Sequence, residues 1–293
     1  MKRVSLWVDG MAYVYRAYYA IPAMANREGI PTNATFGFAR MLQRMVSETT
    51  PDYLAVAFDS KEPTFRHDQF PAYKAQRPPM PDELVAQLPW IKEYVQALNI
   101  ACLEYPGYEA DDVIATCACR AAAAGVNSLI ATADKDLCQL VDDSVAILNA
   151  SFQSSAVLDS PAVVRKFGVR PDQIVDYLVM VGDSADNVPG IEGIGPKTAT
   201  TLLSAYGTLD EVYAHLDELK PRVQAKLSGA RDRIATARLL LQVECGVPVR
   251  EQLDDFALRQ PDVERLTALK QTLGFRVSRG GGAPPPQPQP ELF

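Results

Sequence analysis

Over the first 150 residues, short apolar runs alternate with longer amphipathic stretches. This pattern predicts an α/β fold in which a mostly parallel central sheet is flanked by helices. Each predicted strand is apolar or β-branched and is bounded by polar or turn-forming residues. The predicted strands are Val4 to Val8, Tyr53 to Phe58, Ile100 to Leu103, Ser128 to Thr132 and Val145 to Asn149. The helices predicted between them are Thr35 to Thr49, Asp82 to Leu98 and Val113 to Ala124.

Beyond about Pro171 the strand signals fade and helical segments dominate, which predicts a smaller α-helical subdomain. Its predicted helices are Pro171 to Val181, Pro196 to Tyr206, Thr208 to Ala214 and Gly229 to Gln242. The last residues are rich in glycine and proline, a composition that does not form a hydrophobic core. We therefore expect an α/β domain over residues 1–170, a helical subdomain over residues 171–277 and a flexible tail over residues 278–293.

Composition and charge narrow the possible functions. The chain has 293 residues and a formal charge of −7, so overall positive charge does not attract it to nucleic acid. It has no apolar run of the roughly 20 residues that span a bilayer, and we expect a cytoplasmic protein without membrane contact. Five cysteines, two histidines and the lack of a Cys-x-x-Cys pair predict reduced thiols and argue against a zinc site.

Acidic residues follow three of the predicted strands and also cluster in two other places. Because the carboxyl ends of parallel strands meet at one edge of a sheet, we expect these side chains to converge. The strand-end acids are Asp9, Asp59, Asp134 and Asp136, and the other clusters are Glu109, Asp111 and Asp112 before a predicted helix and Asp183 and Asp186 in a turn. Taken singly, each acidic residue is also typical of a turn or of a helix N-cap, which is the alternative to a functional role.

Convergence of nine carboxylates requires a compensating positive charge. Two carboxylates about 5 Å apart repel by roughly 3 kcal/mol at an effective dielectric constant of 20. A ligand set of carboxylates without Cys or His favours Mg²⁺ or Mn²⁺. Two such ions roughly 4 Å apart suit phosphodiester cleavage. The sequence therefore predicts a centre that binds two divalent ions.

Two further segments are typical of nucleic-acid contact. The glycines Gly190, Gly193 and Gly195 precede Pro196, Lys197 and Thr198, which predicts a tight hairpin that opens a helix and binds phosphate through backbone N–H groups. An ordinary turn between helices remains the alternative. The second segment interleaves cations with aromatic residues, an arrangement that suits a single strand or, alternatively, a solvated loop. Its residues are Lys61, Phe65, Arg66, Phe70, Tyr73, Lys74 and Arg77.

Together these residues resemble the 5′ nuclease family, the 5′→3′ exonuclease and flap endonuclease domain of bacterial DNA polymerase I and its relatives. The resemblance covers roughly residues 1–260. The motifs that carry it are Val8-Asp9-Gly10, Tyr15-Arg16-Ala17-Tyr18, Phe58-Asp59, Phe65-Arg66, Tyr73-Lys74 through Arg77-Pro78-Pro79-Met80-Pro81, Glu109-Ala110-Asp111-Asp112, Thr132-Ala133-Asp134-Lys135-Asp136, Gly182-Asp183-Ser184-Ala185-Asp186-Asn187 and the glycine hairpin.

The resemblance implies a two-metal nuclease that acts on DNA flaps, nicks, gaps or 5′ overhangs, including RNA-primed DNA, in replication and repair. It implies that Asp9, Asp59, Glu109 and Asp111 serve mainly one ion, and that Asp134, Asp136, Asp183 and Asp186 serve mainly the other, with Asp112 nearby. Asp9 and Asp134 would act in catalysis with Lys74 and Arg77. Those two cations and Arg66 would lie in what the family uses as a helical arch and would hold the displaced 5′ strand. Arg16 and Tyr73 would also contact DNA. The helix-hairpin-helix would grip duplex DNA with a bound K⁺.

The end of the sequence adds one expectation. Gln289-Pro290-Glu291-Leu292-Phe293 resembles the peptide by which bacterial replication proteins bind the sliding clamp, with Gln289, Leu292 and Phe293 as its contacts.

The chain has no room for a polymerase domain, so we expect a stand-alone, nucleoid-associated monomer or an excised fragment. A non-catalytic module that binds branched DNA is the alternative. A ribonuclease or phosphatase on a related scaffold fits less well, because Asp9-Gly10-Met11 lacks the phosphatase pattern Asp-x-Asp.

Overall fold

The computed structural model describes residues 3–275, which are built around one six-stranded sheet. The strands are β1 (Val4–Asp9), β2 (Tyr53–Ala57), β3 (Ala101–Leu103), β4 (Asn127–Ala131), β5 (Val145–Ala150) and β6 (Ser155–Leu158). Their order is β3-β2-β1-β4-β5-β6, and every pairing is parallel except that of β5 with β6. The predicted parallel sheet is confirmed. The sequence analysis missed β6, a four-residue edge strand in which every residue is exposed or half-buried.

Helices cover both faces of the sheet and then continue as a helical region. The helices up to the end of the sheet region are α1 (Gly10–Ala20), α2 (Asn33–Thr49), α3 (Phe65–Gln69), α4 (Asp82–Val85), α5 (Leu88–Ala97), α6 (Ala110–Ala123) and α7 (Ser160–Phe167). The later ones are α8 (Ile174–Val181), α9 (Pro196–Tyr206), α10 (Leu209–Ala214), α11 (Pro221–Ala230), α12 (Ile234–Leu241) and α13 (Val263–Thr272). Within residues 3–275 no helix is both long enough and apolar enough to cross a bilayer.

The core has two parts because successive side chains of a strand point to opposite faces. In β1, Leu6 and Val8 belong to the cluster formed with α1, α2 and α5. Trp7 belongs to the cluster on the other face, which α6 and the helical region complete. The cluster that contains Trp7 therefore extends from one face of the sheet into the predicted helical subdomain.

Three helix predictions need correction. The stretch Gly229 to Gln242 begins at the end of α11, and a 3-10 turn at Arg231–Arg233 separates α11 from α12. The stretch Asp82 to Leu98 forms two helices, because Pro89 has no N–H to bond to the Val85 carbonyl. The buried side chain of Gln87 lies at the break and bonds to α2. Helix α6 begins at Ala110 rather than Val113, and Asp111 and Asp112 therefore lie within its first turn.

The segment expected to form the helical arch, residues 65–81, contains α3 followed by a series of turns. Arg66 and Tyr73 in this segment are buried against the rest of the protein. Lys74 adopts a left-handed backbone conformation with a φ of 55°. Its amide donates to the Asp186 carbonyl over 3.1 Å, so the segment is fastened to the acidic turn.

Candidate metal centre and nucleic-acid interface

The sheet brings the strand-end acids to one edge. Asp9 is the last residue of β1, and its carboxylate accepts hydrogen bonds from the Ala12 amide (3.0 Å) and the Thr132 hydroxyl (2.8 Å). Gly10 must lack a side chain, because a Cβ there would lie 2.6 Å from the Phe58 ring. The Asp9 carboxylate is therefore fixed at the start of α1.

The N-terminus of α6 adds Glu109 and Asp111 to this edge. Glu109 is the N-cap, and the amide of Ala110 donates to the Asp59 carboxylate over 2.9 Å. A cavity of about 580 Å³ opens between these elements. Its acidic lining residues are Glu104, which is paired with Lys92, and five others that are called here the cavity group: Asp9, Asp59, Glu109, Asp111 and Asp134.

A second set, called here the buried triad, consists of Asp136, Asp183 and Asp186. One carboxylate oxygen from each lies within 4.8 Å of the others, and all three residues are buried. A tight turn closed by two 2.8 Å hydrogen bonds between Asp183 and Val188 holds its last two members. Gly190 is required beside this turn, because a Cβ there would lie 2.4 Å from the Val181 carbonyl carbon.

Three cations lie among the carboxylates. The Lys74 ammonium is 2.6 Å from Glu109 and 3.7 Å from Asp186, so it bridges the two groups. Arg77 contacts Asp186 at 2.6 Å while its side chain is 49% exposed. Lys135 contacts Asp183 at 2.5 Å and Asp136 at 3.3 Å. Lys74 and Arg77 thus lie beside the acids, and both line the cavity.

Charge crowding shifts the pKa values of several carboxyl groups. Burial, with a smaller contribution from Asp59, raises the pKa of Asp9 to about 6. Burial and then the Asp134 charge raise the pKa of Asp136 to about 7 and that of Asp111 well above its usual value. For Asp186, burial is outweighed by Lys74 and Arg77, which lower its pKa. Carboxyl groups crowded enough to retain protons near neutral pH are groups that a divalent cation would stabilise as anions.

The donor set fits hard divalent ions. Within residues 3–275 both groups are made of carboxylates alone, the ligand type that Mg²⁺ and Mn²⁺ prefer. Buried Oδ1 of Asp136 accepts no hydrogen bond within residues 3–275, although the Lys135 ammonium lies 3.3 Å from it. Asp134 lies between the two groups, because its charge raises the pKa of both Asp111 and Asp136.

Asp112 and Arg66 do not fit the roles expected for them. Both side chains are buried, and they form a two-pronged ion pair at 2.7 and 2.8 Å. Asp112 also accepts from the amides of Glu109 (3.1 Å) and Glu244 (2.9 Å), so its oxygens are already engaged. Arg66 donates in addition to the Leu240 and Gln242 carbonyls. The pair joins α3, α6 and the helical region instead of presenting a metal ligand or a DNA contact.

Tyr73 and Arg16 are also placed differently from the expectation that they contact DNA. The hydroxyl of Tyr73 is buried and bonds to Asp186 (2.9 Å) and Glu109 (3.1 Å). The Arg16 guanidinium bonds to the Asn149 side chain at 3.1 Å and to the Ala150 carbonyl. Tyr73 therefore orients carboxylates of both acidic groups, and Arg16 ties α1 to β5.

The glycine hairpin lies between α8 and α9. Ile191 and Ile194 are buried and anchor it, whereas Gly193 and Gly195 are exposed. Gly193 has a φ of 73°, which glycine adopts without strain. Gly195 is the N-cap of α9. It has no side chain that could accept a hydrogen bond from the first amides of that helix.

The remaining predicted hairpin residues lie at the start of α9. Lys197 is exposed there and Thr198 is half-exposed. Lys226 of α11 also reaches the hairpin and donates to the Gly193 carbonyl over 2.7 Å. No sequence pattern connects Lys226 to the hairpin, because the contact arises only when α11 packs nearby.

Lys61 and Lys92 contribute further positive charge to the cavity lining. Lys92 was not singled out in the sequence, since it lies in an ordinary amphipathic helix. The clamp-binding residues predicted at Gln289, Leu292 and Phe293 lie outside the described residues.

Comparison with known proteins defines the family. Residues 4–168 match the model of the 5′-3′ exonuclease N-terminal resolvase-like domain. Residues 169–264 match that of the 5′-3′ exonuclease C-terminal SAM fold. The chain therefore belongs to the 5′-3′ exonuclease family.

Individual relatives agree with this assignment. A 5′-3′ exonuclease of Aquifex aeolicus is 38% identical, and the match covers 92% of this chain and 91% of that protein. The thermostable DNA polymerase I of Thermus thermophilus is 41% identical over 92% of this chain, which spans only 32% of that enzyme. The chain thus covers about a third of the length of its DNA polymerase I relatives.

Solved structures share the fold at low sequence identity. T5 5′-exonuclease with bound divalent metal ions (zinc) matches with a TM-score of 0.67 and 18% identity over 92% of this chain and 98% of that chain. The catalytic core of Rad2 in complex with DNA substrate matches with a TM-score of 0.60 and 13% identity over 93% of this chain and 88% of that chain. The predicted combination of a mostly parallel sheet with a helical subdomain is confirmed.

Proposed function

We propose that this chain is a divalent-metal-dependent 5′→3′ exonuclease and flap endonuclease that hydrolyses phosphodiester bonds of DNA. The observation that carries the proposal is that Lys74 and Arg77 line the cavity together with the cavity group and also contact Asp186 of the buried triad. Carboxylates alone would repel a phosphate, whereas carboxylates that hold divalent ions beside two cations attract it. The full-length match to an Aquifex aeolicus 5′-3′ exonuclease supports the same activity.

The cavity group would hold one ion and the buried triad the other, with Asp134 between them. Bound divalent ions would supply a more acidic water and would neutralise charge on the attacking and leaving oxygens. The resemblance implies that Asp134 serves the same ion as Asp136, Asp183 and Asp186. In the structure Asp134 instead lines the cavity with Asp9. The geometry favours Mg²⁺ and Mn²⁺ equally as hard ions.

Lys74 and Arg77 would hold the reacting phosphate. Their present partners are Glu109 and Asp186, the acids at the contact between the two groups. Arg77 is half-exposed and able to turn towards a phosphate, whereas Lys74 is largely enclosed and would hold its position. Tyr73 would keep Glu109 and Asp186 oriented while Arg77 turns from Asp186 to the phosphate, because the Tyr73 hydroxyl contacts both carboxylates.

The hairpin would bind the backbone of duplex DNA away from the cleaved bond. The exposed Gly193, Gly195 and Lys197 offer amide dipoles and one positive charge, which suits contact with phosphate without sequence preference. We include K⁺ at the hairpin in this proposal, where it would compete with the Lys226 ammonium for the Gly193 carbonyl. These contacts reconcile DNA binding with a net charge of −7.

A cleavage assay tests the proposal. A duplex with a 5′ flap, labelled on the flap, is incubated with the full chain and Mg²⁺, with Mn²⁺ or with EDTA. Cleavage near the junction that requires a divalent ion is expected, with a 5′-phosphate on the downstream product. A chain that binds the flap tightly but cuts neither DNA nor RNA-primed DNA with either ion would instead be a branched-DNA-binding module.

The proposal extends to the sliding clamp through the C-terminal peptide. Gln289, Leu292 and Phe293 provide one polar and two apolar contacts at the end of a proline-rich tether. The double variant Leu292→Ala, Phe293→Ala is expected to lose clamp binding in a pull-down with purified clamp. Equal binding by wild type and variant would refute this extension and leave the nuclease proposal untouched.

A further inference from the structure

Two exposed cysteines that are 126 positions apart in the chain meet where α6 contacts the segment that follows α12. The Sγ atoms of Cys119 and Cys245 lie 3.0 Å apart. The other three cysteines, Cys102, Cys117 and Cys138, are buried or half-buried. The sequence analysis gave Cys119 no role, because nothing in the sequence predicts that Cys245 lies beside it.

The backbone around Cys245 is fastened to α6 on both sides of the cysteine. The Thr116 hydroxyl donates to the Glu244 carbonyl (3.3 Å) and accepts from the Val247 amide (3.1 Å). Arg120 donates to the carbonyls of Val247 (3.2 Å) and Val249 (2.8 Å). The two sulfur atoms are therefore brought together by an ordered contact between two parts of the fold.

The environment also activates one thiol. The hydrogen bond with Cys245 outweighs the opposing effect of burial and lowers the pKa of Cys119 to about 7. A thiol with this pKa is largely ionised at slightly alkaline pH, and the thiolate is the nucleophile in disulfide exchange. Cys119 is thus suited to attack first and Cys245 to resolve the product.

We propose that Cys119 and Cys245 form a reversible disulfide by exchange with a small-molecule disulfide of the glutathione type. The Cys119 thiolate attacks one sulfur of the small disulfide, whose S–S bond breaks and releases one thiolate that takes up a proton. Cys245 then loses its proton and attacks Cys119 Sγ, which releases the second small thiol. Two cysteine thiols are oxidised, and one small disulfide is reduced to two thiols.

The new bond would link the sheet region to the helical region. Helix α6 carries Asp111 and Asp112 at its start, and the Glu244 amide beside Cys245 donates to Asp112 over 2.9 Å. The disulfide would therefore reinforce the contact that holds the Arg66–Asp112 pair. This inference does not depend on the nuclease proposal, and its test does not use cleavage.

The test incubates the full-length chain with oxidised glutathione at pH 8. Intact mass should fall by the mass of two hydrogens, and the free thiols should fall from five to three. A non-reducing peptide map should contain a Cys119–Cys245 crosslinked peptide. Closing a loop of this length should raise the melting temperature by roughly 5 °C, and dithiothreitol should reverse the rise.

Two variants serve as controls. In Cys245→Ser, glutathione should remain on Cys119 as a mixed disulfide, and the melting temperature should not rise. Cys102→Ser should behave as wild type, because Cys102 is remote from the pair. Glutathione adducts on Cys119 or Cys245 without a crosslinked peptide, a crosslink between other cysteines, or five thiols that stay reduced would each overturn the proposal.

Discussion

The cavity group and the buried triad have the same side-chain chemistry but balance their charge differently. All three members of the triad are buried and lie beside Lys135, Lys74 and Arg77. The cavity group has five acids around a cavity of about 580 Å³, and Lys74 and Arg66 both contact Glu109, at 2.6 and 3.4 Å. Within residues 3–275 its other four acids form no ion pair. The triad is thus partly neutralised by the protein, whereas the cavity group depends more on an added ion.

This difference predicts unequal affinities for divalent ions. An ion that enters the triad must compete with the Lys135 ammonium, which lies 2.5 Å from Asp183 and 3.3 Å from Asp136. An ion that enters the cavity group meets Asp111, whose pKa is raised by burial and by neighbouring carboxylates. We therefore expect the cavity group to bind its ion more tightly.

The largest effect is expected for Asp111→Asn in the cavity group. Loss of one ligand charge removes several kcal/mol of metal binding and transition-state stabilisation, or about 10³-fold in kcat for flap cleavage at saturating Mg²⁺. The matched control Asp172→Asn changes an exposed acid that is paired with Arg170 and belongs to neither acidic group, and it should retain wild-type kcat. An Asp111→Asn variant with full activity would show that the cavity group holds no essential ion.

The Arg66–Asp112 pair defines a third way to balance carboxylate charge, by a permanent buried cation. Arg66→Ala should lower the free energy of unfolding by about 3–5 kcal/mol, because it leaves the buried Asp112 carboxylate without a compensating positive charge. Urea unfolding in EDTA measures this directly. Arg44→Ala, which breaks the surface pair with Glu48, should cost about 1 kcal/mol or less. Equal losses for the two variants would contradict the structural role of Arg66.

Lys74 links the two acidic groups, and its removal should affect turnover more than DNA binding. We expect Lys74→Ala to lower kcat about 10²-fold, the usual loss for one charge-stabilising donor, with a smaller change in KM. Lys166→Ala removes an exposed lysine on α7 and serves as the control. A change confined to KM would mean that Lys74 contributes only to uniform substrate binding.

The raised pKa values make a prediction for the protein without metal. Asp9 and Asp136 have folded-state pKa values of about 6 and 7, above the unfolded value of 3.8, so the folded protein binds more protons in this range. Stability therefore falls as pH rises through 6 and 7. In EDTA, the melting temperature should be higher at pH 5.5 than at pH 8.

Two additions sharpen this pH experiment. Excess Mg²⁺ at pH 8 should restore the melting temperature, because the ions bind the ionised carboxylates of the folded state. Asp136→Asn should flatten the pH dependence between 6 and 8. A melting temperature in EDTA that rises between pH 5.5 and pH 8 would show that these carboxyls are not crowded.

The smallest effect is expected at the hairpin, where the proposed DNA contact would be made by exposed backbone and a single lysine. Lys197→Ala should weaken binding of a flap duplex in EDTA several-fold and should reduce the slope of log affinity against log salt by about 1. Lys166→Ala is again the control. An unchanged salt slope for Lys197→Ala would exclude a phosphate contact at this residue.

Sequence analysis predicted much of the sheet and of the acidic site, for identifiable reasons. Strand-end acids such as Asp9 and Asp134 follow apolar runs, and the geometry of parallel strands then brings them together. Asp112 could not be separated from its neighbour Asp111 in this way. The side chains of Asp111 and Asp112 leave the first turn of α6 in different directions, and that of Asp112 contacts Arg66.

Contacts between distant segments were the part that sequence analysis missed. Cys119 and Cys245 meet only because the segment after α12 packs on α6, and Lys226 reaches Gly193 only because α11 lies beside the hairpin. Arg66 was expected at the DNA surface because cations interleaved with aromatic residues resemble a strand-binding loop. Its buried partner lies 46 positions away, and no local pattern indicates it.

A count of bound ions tests the central claim, that two acidic groups of unequal affinity hold two divalent ions. Mn²⁺ binding at pH 8, followed by electron paramagnetic resonance of the free ion, should give two sites per chain in the wild type. Asp183→Asn should lose the weaker site and Asp111→Asn the tighter one. A wild type that binds a single ion, or two variants that lose the same site, would contradict the account.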